Sequence, residues 1–596
     1  MKRFLSIIAA AIMSGTVPGI ADDGGITVRH MSNEQNIIEL KPERKYLLLP
    51  VQDNAPEGRI FMVQDNAASV PGINIRLARE RVDYYVPLDV SDFIGRLLQI
   101  DVQAVPASSV CWSVLKCSDE FSMDISPAPV YHHTPPYGWM NDPNGMFYKD
   151  GTYHLYYQFN PYGCTWGNMH WGHSTSEDLV HWKHEGTALA PDSWGYIFSG
   201  SAVLDKENTA GFGENAVVAV YTSSKPTLWT DCQTQSIACS LDGGKTFDKY
   251  EGNPVLTSDL RDFRDPKVFW YAPGGHWVMI LAAGQEMQIY SSSDLKSWKF
   301  ESSFGQSQGA HGGVWECPDL VELEVEGTGE RKWVLICNLN PGGPFGGSAT
   351  QYFVGSFDGK KFINESPTVT KWMDWGKDNY ASVTWSNAPD GRCIAIGWMS
   401  NWQYQNQLPV RGYRGANTIA RELGLYERDG EVYLKSAPVS EMYAARERFS
   451  SVGPVKVSGM DWKLDFTLPE NGAFEVEMSI RNNGAEKIGI VFCNGSGENV
   501  SMYYDIARGQ FVMDRTESGN VDFSQDFPAV TVAPAETEGT LSLRIFFDRT
   551  SAEVFGNGGE FVMTNLLFPS EPYSGMGFFA DRGSFTVTSA EIYVIK

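Results

Sequence analysis

The feature that most narrows what this chain can fold into is a turn that recurs. Ser176-Glu177-Asp178-Leu179 leads to Trp182, and Ser240-Leu241-Asp242-Gly243 leads to Phe247. Ser293-Asp294-Leu295 leads to Trp298, and Ser356-Phe357-Asp358-Gly359 leads to Phe362. Each turn follows a strand-like run, and the aspartates lie roughly 50 to 65 residues apart, the period of a four-stranded sheet repeated around an axis. One Ser-x-Asp turn is ordinary in any β protein. Four, each with an aromatic four or five residues after the aspartate, predict a five-bladed β-propeller over 128–445, with Trp182 and Trp298 in the blade cores.

The flanks are also β-rich, so the predicted class is all-β. Residues 24–125 show short apolar runs at Tyr46–Val51, Arg59–Val63, Val82–Val90 and Leu97–Val102, with hardly any helical period, which predicts an extra N-terminal β module. Val-Gln-Asp-Asn-Ala occurs at 51–55 and again at 63–67, suggesting a hairpin. Prolines at 127, 129, 135 and 136 mark a boundary, because successive prolines continue neither a ladder nor a helix. From 450 to 596 the pattern alternates: Leu541, Leu543 and Ile545 share one face, Ser542, Arg544 and Phe546 the other. Gly556-Asn557-Gly558-Gly559 supplies a tight hairpin, and the segment predicts a C-terminal β-sandwich.

A chain of 596 residues exceeds one hydrophobic core, and a net charge of −25 repels a polyanion, so nucleic acid is not the expected partner. Lys2 and Arg3, the apolar run Phe4–Met13 and Gly19-Ile20-Ala21 read as a signal peptide over 1–21, and no later run is long enough to span a bilayer. An exported protein, periplasmic or secreted, is expected. Nine cysteines are scattered without a zinc spacing and cannot all pair within the chain, so they read as mostly buried thiols. No metal and no cofactor is expected. His132-His133 lacks a third ligand at a suitable spacing and reads as a loop, and Gly342–Ser348 lacks the Lys-Ser/Thr of a phosphate loop and reads as a flexible rim loop. Oligomeric state is not legible.

Three acids sit beside prolines: Asn141-Asp142-Pro143-Asn144-Gly145, Arg264-Asp265-Pro266 and Trp315-Glu316-Cys317-Pro318-Asp319. Alone, each reads as a turn. Their neighbours suggest more. Arg264 is placed to hold the Asp265 carboxylate ionised, and apolar cover from Trp315 would raise the Glu316 pKa toward that of a general acid. Asp319 reads as a structural partner of that neighbourhood.

These blocks resemble glycoside hydrolase family 32, the invertase, inulinase and levanase family. The likeness runs through Trp139–Gly145, Tyr157–Pro161, Thr165–Gly167, Trp171–His173, Phe198–Ser201, Arg264–Pro266 and Glu316–Asp319, and into the tail at Phe547–Phe555. It leaves 24–125 unassigned. The resemblance implies a retaining β-fructofuranosidase acting on fructans and fructo-oligosaccharides such as levan and inulin, and on sucrose. Asp142 would be the nucleophile, Glu316 the acid/base and Asp265 the transition-state stabiliser. Retention requires the first two carboxyls to lie about 5–5.5 Å apart. Asn141, Gln158, Trp166, Phe198, Ser199 and Arg264 would line the fructose pocket, with Trp398 a looser match.

Exo action is preferred to endo action, because an unanchored exported protein meets oligosaccharides more often than surface polymer. Competing readings are an endo-acting levanase or inulinase, a related propeller arabinofuranosidase, a glycan-binding protein with a dead site, and a fructosyltransferase. Linkage preference, β-2,1 against β-2,6, depends on rim loops and is not legible.

Overall fold

The computed structural model describes residues 25–596 apart from 65, 66, 69, 70, 229, 460–462 and 538. The leader reading at 1–21 therefore lies outside the described residues. The chain divides into two compact units: residues up to Met123 with Pro161–Gly163, and Asp124–Asn160 with Cys164–Lys596.

The first unit is a β module of two sheets, one of six strands and one of three. Their apolar faces enclose Ile38, Leu47, Leu49, Val86, Leu98 and Ile100, all at 1% exposure or less. The four predicted runs become Tyr46–Val51, Gly58–Gln64, Tyr84–Asp89 and Leu98–Gln103. The two copies of the repeated pentapeptide do not pair with each other, but the second falls where Gly58–Gln64 pairs antiparallel with Ala67–Ala68, Gln64 opposite Ala67. Tyr46–Val51 and Gly58–Gln64 belong to different sheets.

In the second unit five sheets follow one another along the chain, each starting with an inner strand and running outward, the fold of a five-bladed propeller. The inner strands are Gly138–Lys149, Tyr196–Asp205, Phe263–Tyr271, Val314–Glu324 and Tyr380–Thr384, here blades I to V. Each touches the next, and the fifth touches the first, so the ring closes. Apolar side chains fill the wedges between blades. Phe147 and Trp171 of blade I meet Ile197 and Val217 of blade II, and Phe304 and Ile280 of blade III meet Trp315 and Leu335 of blade IV.

The recurring Ser/Asp turns join the third and fourth strands of blades I to IV. In each, one aspartate oxygen accepts two backbone N–H groups: Asp178 from Val180 and His181, Asp242 from Lys245 and Thr246, Asp294 from Lys296 and Ser297, Asp358 from Lys360 and Lys361. Blade V closes instead through Asp429-Gly430, both at positive φ, which is why the repeat shows four copies and not five.

Beyond the propeller, seven-stranded and six-stranded sheets pack face to face as a β-sandwich. Leu541, Leu543 and Ile545 point into its core. On the opposite face Phe546 and Phe555 join Ile419, Ala420 and Met442 of the propeller. The hairpin between Ser551–Gly556 and Phe561–Leu566 turns on Asn557, Gly558 and Gly559, all at positive φ. Charged groups lock this junction. Arg421, fully buried, donates to Asp374 at 2.9 Å and to Glu553 at 2.7 Å. His132 sits between Asp548 at 2.9 Å and Glu553 at 2.8 Å. The His132-His133 pair is thus irregular backbone, but each ring is buried and held, His133 by Asn417 and Ser174.

Gly342–Ser348 differs from the flexible loop expected of it. Gly342 and Gly343 both donate to the Gly347 carbonyl, and Asn401 donates to the Gly346 carbonyl at 3.2 Å, which pins the loop. All nine cysteines are free thiols, five of them buried and only Cys232 exposed.

Candidate active site

Every inner strand of the propeller carries a β-bulge at the same level. Register slips by one residue between Met140 and Pro143, Ile197 and Gly200, Arg264 and Lys267, Glu316 and Asp319, and Tyr380 and Val383. A bulge puts two residues opposite one and re-aims their side chains. Here five bulges face one axis. Asp265, Cys317 and Ala381, the first bulged residues of blades III to V, have φ of 67°, 42° and 52°, the left-handed region that costs a non-glycine residue energy. The Asp-Pro and Cys-Pro units that read as turns are therefore bulges. Pro266 and Pro318 occupy skipped positions, where the ladder needs no N–H.

The bulges open onto a cavity of about 600 Å³. Asn141, Asp142, Gln158, Trp166, Phe198, Ser199, Arg264, Asp265 and Glu316 all line it, which brings together nine of the ten side chains singled out in the sequence. Trp398 does not line it. That ring is fully buried on the second strand of blade V, against Trp139 and Trp402, and the half-buried Trp402 reaches the cavity in its place. Two tryptophans four residues apart in Gly397–Trp402 explain the misassignment.

Asp142 is held by three donors. Asn141 Nδ2 reaches its Oδ1 at 2.9 Å, Ser199 Oγ its Oδ2 at 2.6 Å, and the Cys317 thiol lies 3.4 Å from the same Oδ2. Trp139 Nε1 donates to Asn141 Oδ1 at 2.7 Å, fixing which end of that amide faces Asp142. Burial and the nearby Glu316 charge raise the Asp142 pKa, and the three donors oppose the rise.

Asp265 is more deeply buried and accepts the Cys317 backbone N–H at 3.0 Å. Its own backbone N–H is held by Thr222 Oγ1 at 2.9 Å. Burial pushes its pKa up to about 7, with Glu316 and Asp142 adding to the rise and Arg264 opposing it.

Glu316 qualifies one expectation and corrects another. Arg264 does favour the ionised Asp265, through a long ion pair at 3.9 Å, but its Nη2 and Nε reach Glu316 Oε1 more closely, at 2.9 and 3.2 Å. The guanidinium therefore pairs with Glu316, and its Nη1 is tied back to Asp262 at 2.7 Å and Gln233 at 3.2 Å. Apolar cover from Trp315 is also absent. Side chains alternate along a strand, so Trp315 points into the blade III–IV core while Glu316 faces the cavity, with Oε2 accepting from the Tyr380 hydroxyl. Asp319, by contrast, is structural as expected, buried against Lys267 at 2.8 Å and the Thr384 N–H.

Tyr380, Cys317, Gln233, Asp262 and Trp402 escaped the sequence reading. Cys317 had a signal, since it stands between Glu316 and Pro318, whereas Tyr380 shows its place only once the blade V bulge is seen. Gln233 and Asp262 had none, because their part is defined only by where Arg264 points.

Residues 132–438 match the glycosyl hydrolases family 32 N-terminal domain and 441–594 the glycosyl hydrolases family 32 C terminal, while 32–126 match a domain of unknown function (DUF4980). A levanase of Bacillus subtilis is 43% identical over 513 residues, covering 84% of this chain and 75% of its own. An extracellular exo-inulinase of Aspergillus awamori is 38% identical over 515 residues, 80% of this chain and 96% of its own. The crystal structure of the exo-inulinase from that organism superposes with a TM-score of 0.73 at 36% identity, over 78% of this chain and 98% of the other. A fructofuranosidase of Schwanniomyces occidentalis, solved with fructose, superposes with a TM-score of 0.73 at 34% identity, over the same shares. The chain belongs to glycosyl hydrolase family 32.

Proposed function

We propose that this glycosidase cleaves β-fructofuranosyl bonds of fructans and fructo-oligosaccharides with retention, using Asp142 as nucleophile and Glu316 as acid/base. The observation that carries the reading is the meeting of Asp142, Asp265 and Glu316 in the lining of one cavity, each with a different set of partners. The relatives point the same way, through a levanase, an exo-inulinase and a fructofuranosidase holding fructose.

In the first half-reaction an Asp142 oxygen attacks the anomeric carbon of the fructosyl unit. The bond to the leaving oxygen breaks, its electron pair stays on that oxygen, and Glu316 supplies the proton. In the second, a water oxygen attacks the same carbon, its proton passes to Glu316, and the Asp142 carboxylate departs. Two inversions give retention. Asp265 holds fructose hydroxyls and favours the oxocarbenium-like transition state. Gln158 Nε2 is buried at the cavity wall with no partner among the described residues, a donor set for a sugar hydroxyl. Trp166, 45% exposed and edge-on to Phe198, offers a face on which a sugar ring can stack.

Exo action is our reading, supported by the Aspergillus awamori relative named an exo-inulinase. Export is supported by the relatives named extracellular, and among the described residues no helix is long and apolar enough to cross a membrane. A periplasmic or secreted location follows from the leader reading.

The test is product analysis over time on sucrose, inulin, levan and an aryl arabinofuranoside. Fructose alone supports exo hydrolysis, and a ladder of oligomers replaces it with endo action. Arabinose release without fructose overturns the proposal.

A further inference from the structure

Beneath the carboxylates, on the propeller axis, lies a second and much smaller cavity. Asn144, Ser201, Asp265, Lys267, Cys317 and Thr384 are among its walls, and about 20 Å³ is open to the centre of a water-sized sphere. That is room for a single water molecule, which needs about 10–15 Å³ by the same measure.

The side chain at issue is Asn144. It is fully buried, and its Nδ2 has no protein partner among the described residues. Such a group costs about 1–3 kcal/mol if it stays unpaired, so a buried amide beside a water-sized cavity whose walls also include Ser201, Asp265 and Thr384 points to a water acceptor. The partners suit water better than an ion. Lys267 commits its ammonium to Asp319, the Thr384 carbonyl and Thr384 Oγ1 and has nothing left for an anion, while the Asn144 N–H is a donor that a cation cannot use. Asp265 on the other side disfavours an anion.

The other end of the same amide reaches the chemistry. Asn144 Oδ1 accepts the Gly200 backbone N–H at 3.3 Å, tying the blade I bulge to the blade II bulge. Gly200 follows Ser199, whose hydroxyl holds Asp142 Oδ2 at 2.6 Å. An amide with both ends occupied has one orientation. With Nδ2 idle, only the long Oδ1 bond from Gly200 opposes a flip that would set an NH₂ against the Gly200 N–H.

We propose that the axial cavity binds one ordered water on Asn144 Nδ2, and that Asn144 with this water is a positioning residue for Asp142. The inference rests on the reading of Asp142 as nucleophile for its kinetic consequence but not for the water itself. The experiment is a crystal structure of the full chain at a resolution that shows ordered water, paired with kinetics of Asn144→Leu and Asn144→Ser. A density peak within hydrogen-bond reach of Nδ2 is expected in the parent and its loss in Asn144→Leu. The leucine variant should lose about 10- to 100-fold in kcat, the scale of a misplaced reacting group, with KM within about threefold. Its acid limb should move to higher pH as Asp142 loses a well-placed donor. Asn144→Ser, small enough to fold if leucine is not, admits a second water and should retain more kcat than Asn144→Leu or, where that variant is unfolded, than Asn144→Ala. An empty axial cavity in the parent overturns the water site. A leucine or alanine variant with parental kcat and pH profile, whatever its melting temperature, overturns the positioning role. A parent inactive on every fructoside would instead sink the proposed function and leave the density result standing.

Discussion

Arg264 sets two of its N–H groups on a single oxygen of Glu316, at 2.9 and 3.2 Å, while standing 3.9 Å from its sequence neighbour Asp265. The cation therefore serves the cluster of carboxylates as a whole. Removing it leaves three acids in one cavity to repel one another. Arg264→Gln should lower kcat/KM by about 100-fold or more, the scale of about 3 kcal/mol expected when a charge-assisted pair is broken in a desolvated site. Arg264 also opposes the rise of the Asp265 pKa, which stands at about 7 with the arginine present. Without it that carboxyl should ionise at higher pH, and the acid limb of kcat/KM should move upward. A limb that stays in place would mean that Asp265 ionisation does not govern the profile.

Glu316 has two jobs in sequence, and a substitution separates them. Glu316→Gln removes the proton needed for an ordinary sugar leaving group, and kcat on sucrose should fall by at least about a thousandfold. With a dinitrophenyl-type aryl fructoside, which leaves without protonation, the first step should survive and the second should not. Stopped-flow measurement should then show a burst of phenol equal to the enzyme concentration, with Asp142 carrying the fructosyl group in mass spectrometry. Asp142→Asn should give no burst. Equal bursts from both variants would exchange or abolish the two roles.

Much of this site was legible before any coordinates. The four Ser/Asp turns announced the propeller because their physics is local: one carboxylate oxygen caps two backbone N–H groups, and that need leaves a fixed residue pattern. The three acids were legible from their prolines, although as turns. That a proline beside a strand marks a bulge becomes visible only when both strands are paired. Partner choice was the weakest reading. Arg264 and Asp265 are adjacent in sequence and the bulge turns both toward the cavity, yet the guanidinium's closest partner is Glu316 on the next blade. Trp398 and Trp402 failed for a similar reason, since composition alone cannot say which ring faces inward.

That last pair yields a contrast. Trp402 lines the cavity, whereas Trp398 is wholly enclosed behind it, with a ring centroid 4.9 Å from that of Trp402. Trp402→Ala should raise KM for short fructo-oligosaccharides about tenfold, the loss of roughly 1.4 kcal/mol of ring contact, with little change in melting temperature. Trp398→Ala opens a cavity in the core and should cost about 3–5 kcal/mol of stability. Calorimetry and steady-state kinetics on the two variants decide it, and the reverse assignment would restore Trp398 to the substrate wall.

The junction of propeller and sandwich should be sensitive to alkali. His132 is wholly buried, which disfavours its charge, but Asp548 and Glu553 each hold one ring nitrogen, and together they raise its pKa to about 9 from an ordinary 6.5. Because the folded value is the higher one, protonation stabilises the fold fully below about pH 6.5. That contribution, on the order of 3 kcal/mol, declines as pH rises and is gone above about pH 9. Losing the proton also leaves two buried carboxylates facing a neutral ring, with Arg421 remaining as a cation on Glu553. The melting temperature should therefore fall between pH 7 and pH 10. His132→Gln, which cannot carry the charge, should start lower and vary less over that range. A parent and a variant whose melting curves run parallel from pH 6 to pH 10 would show that the imidazolium contributes nothing at this junction.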